Sequence, residues 1–344
     1  MSSARRLTQH DIAKLAGVSQ ATVSLVLNDA QAAATRIPGE TRERILKIIR
    51  ETGYVADPIA RRMAKGLNRI LGVFTYEPAF PSAQADFFAP FLLGIEEEAQ
   101  RQNYDLLLLT SAGIGEKREI FGDGNRLRLA DGCLVLGRQF NRTELKQLVQ
   151  GEYPFVAVGR RENAGGKVPY VGGGYADATK TLVGKARALG HSRLAYVGPK
   201  GPAESVTDRW KGFSDALEND AELVLHIPHA GQPPHDILEA LIASDSTAVF
   251  FVELADAIKV ETVARQRGLS IPADMSFVVL GSHIRPERTT IQFASFNIPR
   301  EEMGRQATAM LIGRIETSDP VRQVLLPCEP LEGETLGPVK SRRN

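Results

Sequence analysis

Residues 18–28 read VSQATVSLVLN, and the two sides of this short helix make different demands. Val23, Val26 and Leu27 recur at helical spacing and form an apolar side that buries against neighbouring helices. Gln20, Ala21, Ser24 and Leu25 fall on the other side, where a leucine among small polar residues makes a poor solvent face. That side suits a macromolecular surface.

The flanking segments turn the helix into a unit. Upstream, TQHDIAKLA (8–16) sets Ile12, Ala13 and Ala16 on one face behind Thr8, an N-cap residue; Gly17 supplies the left-handed backbone of a tight turn, and Ser19 caps the second helix. Downstream, GETRERILKIIRETGY (39–54) sets Ile45, Ile48 and Ile49 on one stripe and ends at Gly53. Three short helices with a glycine-containing turn between the first two describe a helix-turn-helix. In that geometry the second helix lies in the DNA major groove, where an amide pairs with adenine and an apolar side chain meets a thymine methyl. Gln20 suits the first role; Ala21 and Leu25 suit the second. A hairpin used only for protein packing carries the same helix pattern, and charge separates the two readings. Residues 1–70 hold 12 Lys and Arg against 6 Asp and Glu, leaving residues 71–344 with 30 against 35. Positive charge gathered in a small head favours a polyanionic partner.

After the head, DPIARRMAK (57–65) has a capping residue in Asp57, a first-turn proline in Pro58 and a stop at Gly66. A helix this short is marginal alone and needs support, such as a twin copy and DNA. Ala60, Met63 and Ala64 share a face, while Arg61, Arg62 and Lys65 offer charge to phosphates. Met63 is either a wedge between base steps in the minor groove or a packing residue against the body.

The rest of the chain alternates apolar runs (RILGVFTY, YDLLLLTS, GCLVLG, PFVAVG, RLAYVG, TAVFFV, SFVVLG) with amphipathic stretches over 90–102, 176–189, 209–218 and 255–268. That is the pattern of parallel sheets with helices on both faces, whose ligands sit at the strand C-terminal ends. At 344 residues, 43% hydrophobic and 24% charged, the chain has room for two or three globular domains. Cys133 and Cys328 offer neither a disulfide framework nor metal-ligand spacing, so neither metal nor cofactor is expected. The first residues hold no signal-like apolar stretch and no run approaches a membrane span, so a cytoplasmic protein without a membrane partner is expected. Enzyme motifs fail: Gly165-Gly166-Lys167 lacks the earlier glycine and the following Ser or Thr of a phosphate loop, and no GxSxG, HExxH or CxxC occurs. His191, after a helix-end glycine, suits capping or packing.

These residues resemble the LacI/GalR family of bacterial transcriptional regulators. The resemblance runs from TQHDIAKLAGVSQATVSLVLN through TRERILKIIRETGY and PIARRMAKG to FFAPFLLGIEEEAQRQNYDLLLL, ADGCLVLG, LGHSRLAYVGPKGP, DRWKGFSDAL, RGLSIPADMSFVVLG and IPREEMGRQATAMLIGRI. It implies an N-terminal all-α helix-turn-helix head (1–56), a hinge helix and linker (57–69), and an α/β two-lobed periplasmic-binding-protein-like core (70–344). It also implies a homodimer or tetramer on pseudo-palindromic double-stranded operator DNA. The implied DNA contacts are Thr8, Ser19, Gln20, Ala21, Thr22, Ser24, Leu25 and Asn28 in the head, with Ala60, Arg61, Met63 and Lys65 in the hinge.

The resemblance weakens in the cleft between the lobes. The family presents acidic or amide side chains where this chain has Gly174 and Tyr175, Glu253 and Leu254, and Gly281. Arg209, in DRWKGF, stands at a position that contacts effector in the family; its alternative role is to fasten its helix to the cleft rim. Phe88, Arg138, Arg160, Tyr175, Trp210 and Glu253 complete the implied effector set. With hydroxyl acceptors missing and a guanidinium retained, the expected effector is a sugar derivative or small acid. The expected function is a repressor whose operator affinity is set by that effector. A degenerate cleft under a protein partner's control, or an enzyme fused to a DNA-binding head, are the alternatives.

Overall fold

The computed structural model describes residues 7–28, 30–54, 66–77, 85–110, 118–122, 126–138, 140–162, 164–217, 222–228, 232–282 and 289–339. They fall into two compact units, one within residues 1–69 and one within 70–344.

The first unit is helical. α1 (Gln9–Ala16) opens on a reciprocal cap, in which the Asp11 amide donates to the Thr8 hydroxyl and the Thr8 amide donates to the Asp11 carboxylate. It ends at Gly17, whose φ of 64° turns the chain toward α2 (Gln20–Asn28). α2 starts behind Ser19, whose hydroxyl accepts from the Thr22 amide at 3.1 Å. α3 (Ala30–Arg36) and α4 (Gly39–Thr52) complete the head. The sequence pattern predicts three helices here, and the described residues of the head form four. The extra one, AQAAATR, is alanine-rich and so a good helix former, but it has no apolar periodicity to announce it. Ile12, Ala13, Ala16, Val23, Val26, Ala33, Ile37 and Ile45 are buried together and hold the four helices on one core.

The second unit contains strands β1 (Ile70–Thr75), β2 (Asp105–Leu109), β3 (Gly132–Leu136), β4 (Phe155–Val158), β5 (Tyr170–Gly173), β6 (Arg193–Val197), β7 (Glu222–Ile227), β8 (Ala248–Phe251), β9 (Ser276–Val279), β10 (Ser295–Phe296), β11 (Gln323–Leu326) and β12 (Pro330–Leu331). Parallel pairing gives a first sheet in the order β11-β5-β4-β3-β1-β2 and a second in the order β7-β6-β8-β9. Each of the seven apolar runs becomes a strand. β3, β4, β8 and β9 are buried at every position, as strands covered on both faces must be.

The first lobe carries helices α5 (Ala85–Arg101), α6 (Arg142–Gln150) and α11 (Arg300–Glu316); the second carries α7 (Tyr175–Ala188), α8 (Glu204–Asp215), α9 (Pro234–Ala243) and α10 (Leu254–Gln266). α5 and α11 cross with their backbones in contact: a Cβ on Gly94 would lie 1.9 Å from the Glu301 carbonyl oxygen, and one on Gly304 2.2 Å from that of Phe91. Only glycine permits that approach.

The chain passes between lobes three times: from β5 into α7, from the β9–β10 region into α11, and from β11 into β12. The passages are tied side by side, because the Gly174 amide donates to the Leu326 carbonyl at 2.7 Å and the Asn297 amide donates to that of Glu329 at 2.7 Å. One buried apolar cluster runs from Leu71, Val73 and Ile95 through Tyr175, Phe296, Leu326 and Cys328 to Tyr196, Phe213 and Phe250, so the lobes share a core at their seam. Among the described residues no helix is long and apolar enough to cross a membrane.

Candidate functional sites

On the head, Ser19, Gln20 and Ala21 are exposed at the start of α2, and Thr22, Ser24 and Leu25 are half-buried. The Ser19 and Thr22 hydroxyls lie 2.8 Å apart. Leu25 is less available than its spacing suggests, since part of its side chain packs against the head's core. Thr8 is exposed, but its hydroxyl donates to Asp11 at 2.7 Å. α2 therefore offers a small, uncharged surface led by the amide of Gln20. Asn28 is the last residue of α2. Ala60, Arg61, Met63 and Lys65 lie outside the described residues.

In the core, the seam between lobes is built around Arg209, on the buried side of α8 and 9% exposed. Its Nε donates to the Leu280 carbonyl at 2.6 Å and its Nη1 to the Ser205 carbonyl one turn back at 2.7 Å. The guanidinium lies 4.2 Å from the ring centroid of Tyr175 and 5.9 Å from that of Phe296. Tyr175 opens α7 directly after the first passage, so Arg209 stacks on the hinge itself. Nη2 points toward Gly281, where a Cβ would lie 3.4 Å away. Burial raises the Tyr175 phenol above its usual value, against the opposing pull of the Arg209 charge.

Arg300, the first residue of α11, closes the same region from the first lobe. Its Nη2 donates to the Ser282 carbonyl at 2.8 Å and its Nη1 approaches the Ser282 hydroxyl at 3.4 Å. Ser282 is itself fixed by the Ile298 amide, which donates to its hydroxyl at 3.0 Å. Burial holds the Arg300 guanidinium below its ordinary range; the nearby Arg209 and Arg138 charges push the same way, and Tyr175 opposes them. An open pocket of about 440 Å³ is lined by Pro90, Ser282, Asn297, Arg300 and Arg305 among others.

Two neighbouring arginines are occupied differently. Arg160, after β4, makes a two-pronged pair with Asp208 on α8 and a contact of 2.5 Å with Glu162. Burial works against its charge, and the two carboxylates more than restore it. Arg161 is 4% exposed, donates to the carbonyls of Arg160 at 2.6 Å and Gly137 at 2.5 Å, covers the Phe140 ring at 3.9 Å and meets Glu204 at 3.5 Å.

Of the implied effector set, the structure brings Tyr175 and Arg209 together at the seam, with Arg138 near enough for its charge to act on Arg300. Phe88 is 1% exposed and belongs to the lobe's core; its neighbour Phe87 is half-buried and carries the Arg138 guanidinium 4.7 Å over its ring. Trp210 turns into an aromatic cluster with Tyr196, Phe213 and His226, and Lys200 covers its ring at 3.9 Å. Glu253 is half-buried at the start of α10. Arg300 was not legible as a site residue, because it follows no apolar run and burial of an arginine has no signature in one sequence; Ser282 does follow the run SFVVLG, but a lone serine there gives no sign of the arginine it holds.

A helix-turn-helix head ahead of two parallel-sheet lobes with a charged, aromatic seam defines a DNA-binding protein of the two-lobed sensor class. Comparison with known proteins agrees. Residues 8–57 match the family described as bacterial regulatory proteins, lacI family, and residues 183–336 match the periplasmic binding protein-like domain. The chain is 28% identical over 341 residues to the HTH-type transcriptional regulator CelR of Thermobifida fusca, covering 94% of this chain and 97% of that one. The fold is that of the lac repressor dimer bound to operator and the anti-inducer ONPF, with a TM-score of 0.76, 18% identity, and 97% and 100% of the two chains covered. It is also that of the CelR–cellobiose complex, with a TM-score of 0.60, 24% identity, and 96% and 100% covered. The chain belongs to the lacI family of bacterial regulatory proteins. It is a DNA-binding transcriptional regulator.

Proposed function

We propose that this regulator is a repressor that binds a pseudo-palindromic operator as a homodimer or tetramer and senses a small molecule held between its lobes. It works in the cytoplasm and binds its effector without turning it over. Gln20 and Ala21 read base edges, with Leu25 adding the exposed part of its side chain, and Ser19 and Thr22 meet the backbone. The hinge at 57–69 carries Met63 as the minor-groove wedge, with Arg61 and Lys65 on phosphates. The lac repressor and CelR structures, with operator and with cellobiose respectively, support both halves of this reading.

The observation that carries the effector half is Arg209. It is a buried guanidinium stacked on the hinge tyrosine at the C-terminal ends of the second lobe's strands, and its Nη2 bonds to none of the described residues. A ligand that engages it contacts the element about which the lobes move, so occupancy and lobe angle are coupled. The test is to select operators from random duplex DNA, then measure affinity by fluorescence anisotropy with and without the small molecules that co-purify with the protein. A symmetric site whose affinity shifts at least about tenfold with one of those molecules supports the reading. An asymmetric site bound by one chain, or an affinity indifferent to all of them, overturns it.

A further inference from the structure

We propose that the effector carries a carboxylate or phosphoryl group, and that Arg209 and Arg300 together hold it. The inference rests on the reading above, that an effector occupies the seam.

Five arginines gather at the seam, and they divide into two kinds. Arg160 and Arg161 meet the carboxylates of Asp208, Glu162 and Glu204. Arg138, Arg209 and Arg300 form no ion pair among the described residues. Their side-chain contacts are with carbonyls, one hydroxyl and rings, which do not cancel a charge, although the backbone amide of Arg138 donates to the Glu77 carboxylate at 3.1 Å. An arginine has five N–H donors. Arg209 and Arg300 each spend two of them on the protein, so both keep donors for a ligand.

Burial makes this arrangement costly while no anion is present. Arg209 is nine-tenths buried, and removing one cation from water beside another is unfavourable unless a counter-charge is close. Gly281 brings no side chain to Nη2 of Arg209. The acids of the adjoining pocket are also committed, because Glu301 and Glu302 both bind Arg305, with Glu301 at 2.7 Å. Among the described residues no carboxylate is bonded to the Arg209 or Arg300 guanidinium. A ligand can supply that counter-charge, and a planar guanidinium fork suits the paired oxygens of a carboxylate or phosphoryl group.

The Ser282 contacts show how the site is held in shape. The Ser282 hydroxyl accepts from the Ile298 amide, donates to Asn297 Oδ1 at 3.3 Å and meets Arg300. Arg300 is therefore anchored to a segment that joins the lobes, and an anion drawing on Arg209 and Arg300 at once draws on α8 and α11 at once.

The test uses the full-length protein and begins with inorganic phosphate and acetate, compared with chloride at equal ionic strength in thermal unfolding. Phosphate or acetate should raise Tm beyond chloride, and Arg300→Gln, which keeps an N–H for Ser282 but loses the charge, should abolish the rise; Arg300→Lys should retain part of it. Calorimetry with glucose, glucuronate and glucose 6-phosphate then separates the neutral, carboxylate and phosphoryl arms. One of the two anions should bind at least about tenfold more tightly than glucose, with that margin lost in Arg300→Gln. Phosphate and acetate acting no differently from chloride, or an anion response that survives in Arg300→Gln, overturns the proposal. Release of the operator by a neutral molecule with the anions inert overturns it too, and leaves effector control standing. An operator affinity that answers no small molecule sinks effector control itself.

Discussion

Arg160 and Asp208 join the two lobes through paired hydrogen bonds, Nε to Oδ2 at 2.9 Å and Nη2 to Oδ1 at 2.6 Å. The arginine follows the first lobe's β4, and the aspartate sits on the second lobe's α8. Their side chains are 15% and 12% exposed, so solvent weakens the pair only in part. Asp208→Asn should lower core stability by about 1–3 kcal/mol, since it leaves a half-buried guanidinium short of its partner. Urea unfolding of Asp208→Asn, Arg160→Met and the double variant checks this. Additive losses would show that the pair does not couple the lobes.

The α5–α11 crossing makes a second, paired expectation. Gly304→Ala forces a methyl against the Phe91 carbonyl and should cost at least about 2 kcal/mol, because two packed helices must separate to admit it. Gly184, on the exposed side of α7, has nothing within 4 Å of its Cβ position. Gly184→Ala should therefore stabilise by about 0.5–1 kcal/mol through helix propensity alone. Opposite signs in denaturant midpoints bear this out; equal effects would not.

In the head, Ser19→Ala removes the hydroxyl that accepts from Thr22 and should lower the head's stability by about 1 kcal/mol. Gln20→Ala removes an exposed side chain and should leave stability unchanged while relaxing base preference at one pair of symmetry-related positions. Thermal unfolding with binding to single-base operator variants tells the two apart.

His191 gives the expected pH dependence. It is 3% exposed, with Nε2 2.8 Å from the Gly337 carbonyl, and burial holds its pKa below the ordinary 6.5 despite that hydrogen bond. The unfolded chain then takes up the proton first, so stability is full above about pH 6.5 and is lost as pH falls toward the lower folded value. His226 is shifted the same way, chiefly by burial. His191→Gln should flatten the acid limb of the stability curve between pH 7 and 5, leaving the smaller slope due to His226. An unchanged limb would assign it to other groups.

The lobes were legible because their central strands are unbroken apolar runs, and burial on both faces demands that pattern. β5 gives no such run because YVGG carries two glycines, and in β7 and β11 the polar Glu222, His226 and Gln323 shorten the apolar run, whereas the edge strand β2 stays legible through its four successive leucines. Arg209 could be placed through its motif. Arg160 could not be told from it, because Asp208, the residue that claims its guanidinium, comes 48 positions later in the chain. Phe88 and Phe87 differ by one step of helix phase, which sequence spacing near the start of a helix fixes poorly.

Because the chain returns to its first lobe after building the second, the order of synthesis differs from the order of completion. The head emerges from the ribosome first, and the second sheet has all its strands by Val279. The first sheet begins at Ile70 but waits for α11 and for β11, which ends at Leu326. A chain broken off near residue 290 would keep an intact DNA-reading head and a full second sheet beside a first lobe lacking α11 and β11. Such fragments would retain operator contacts while losing Arg300 and with it any response that depends on that residue. Premature termination would thus yield a regulator able to compete for its site yet deaf to its signal.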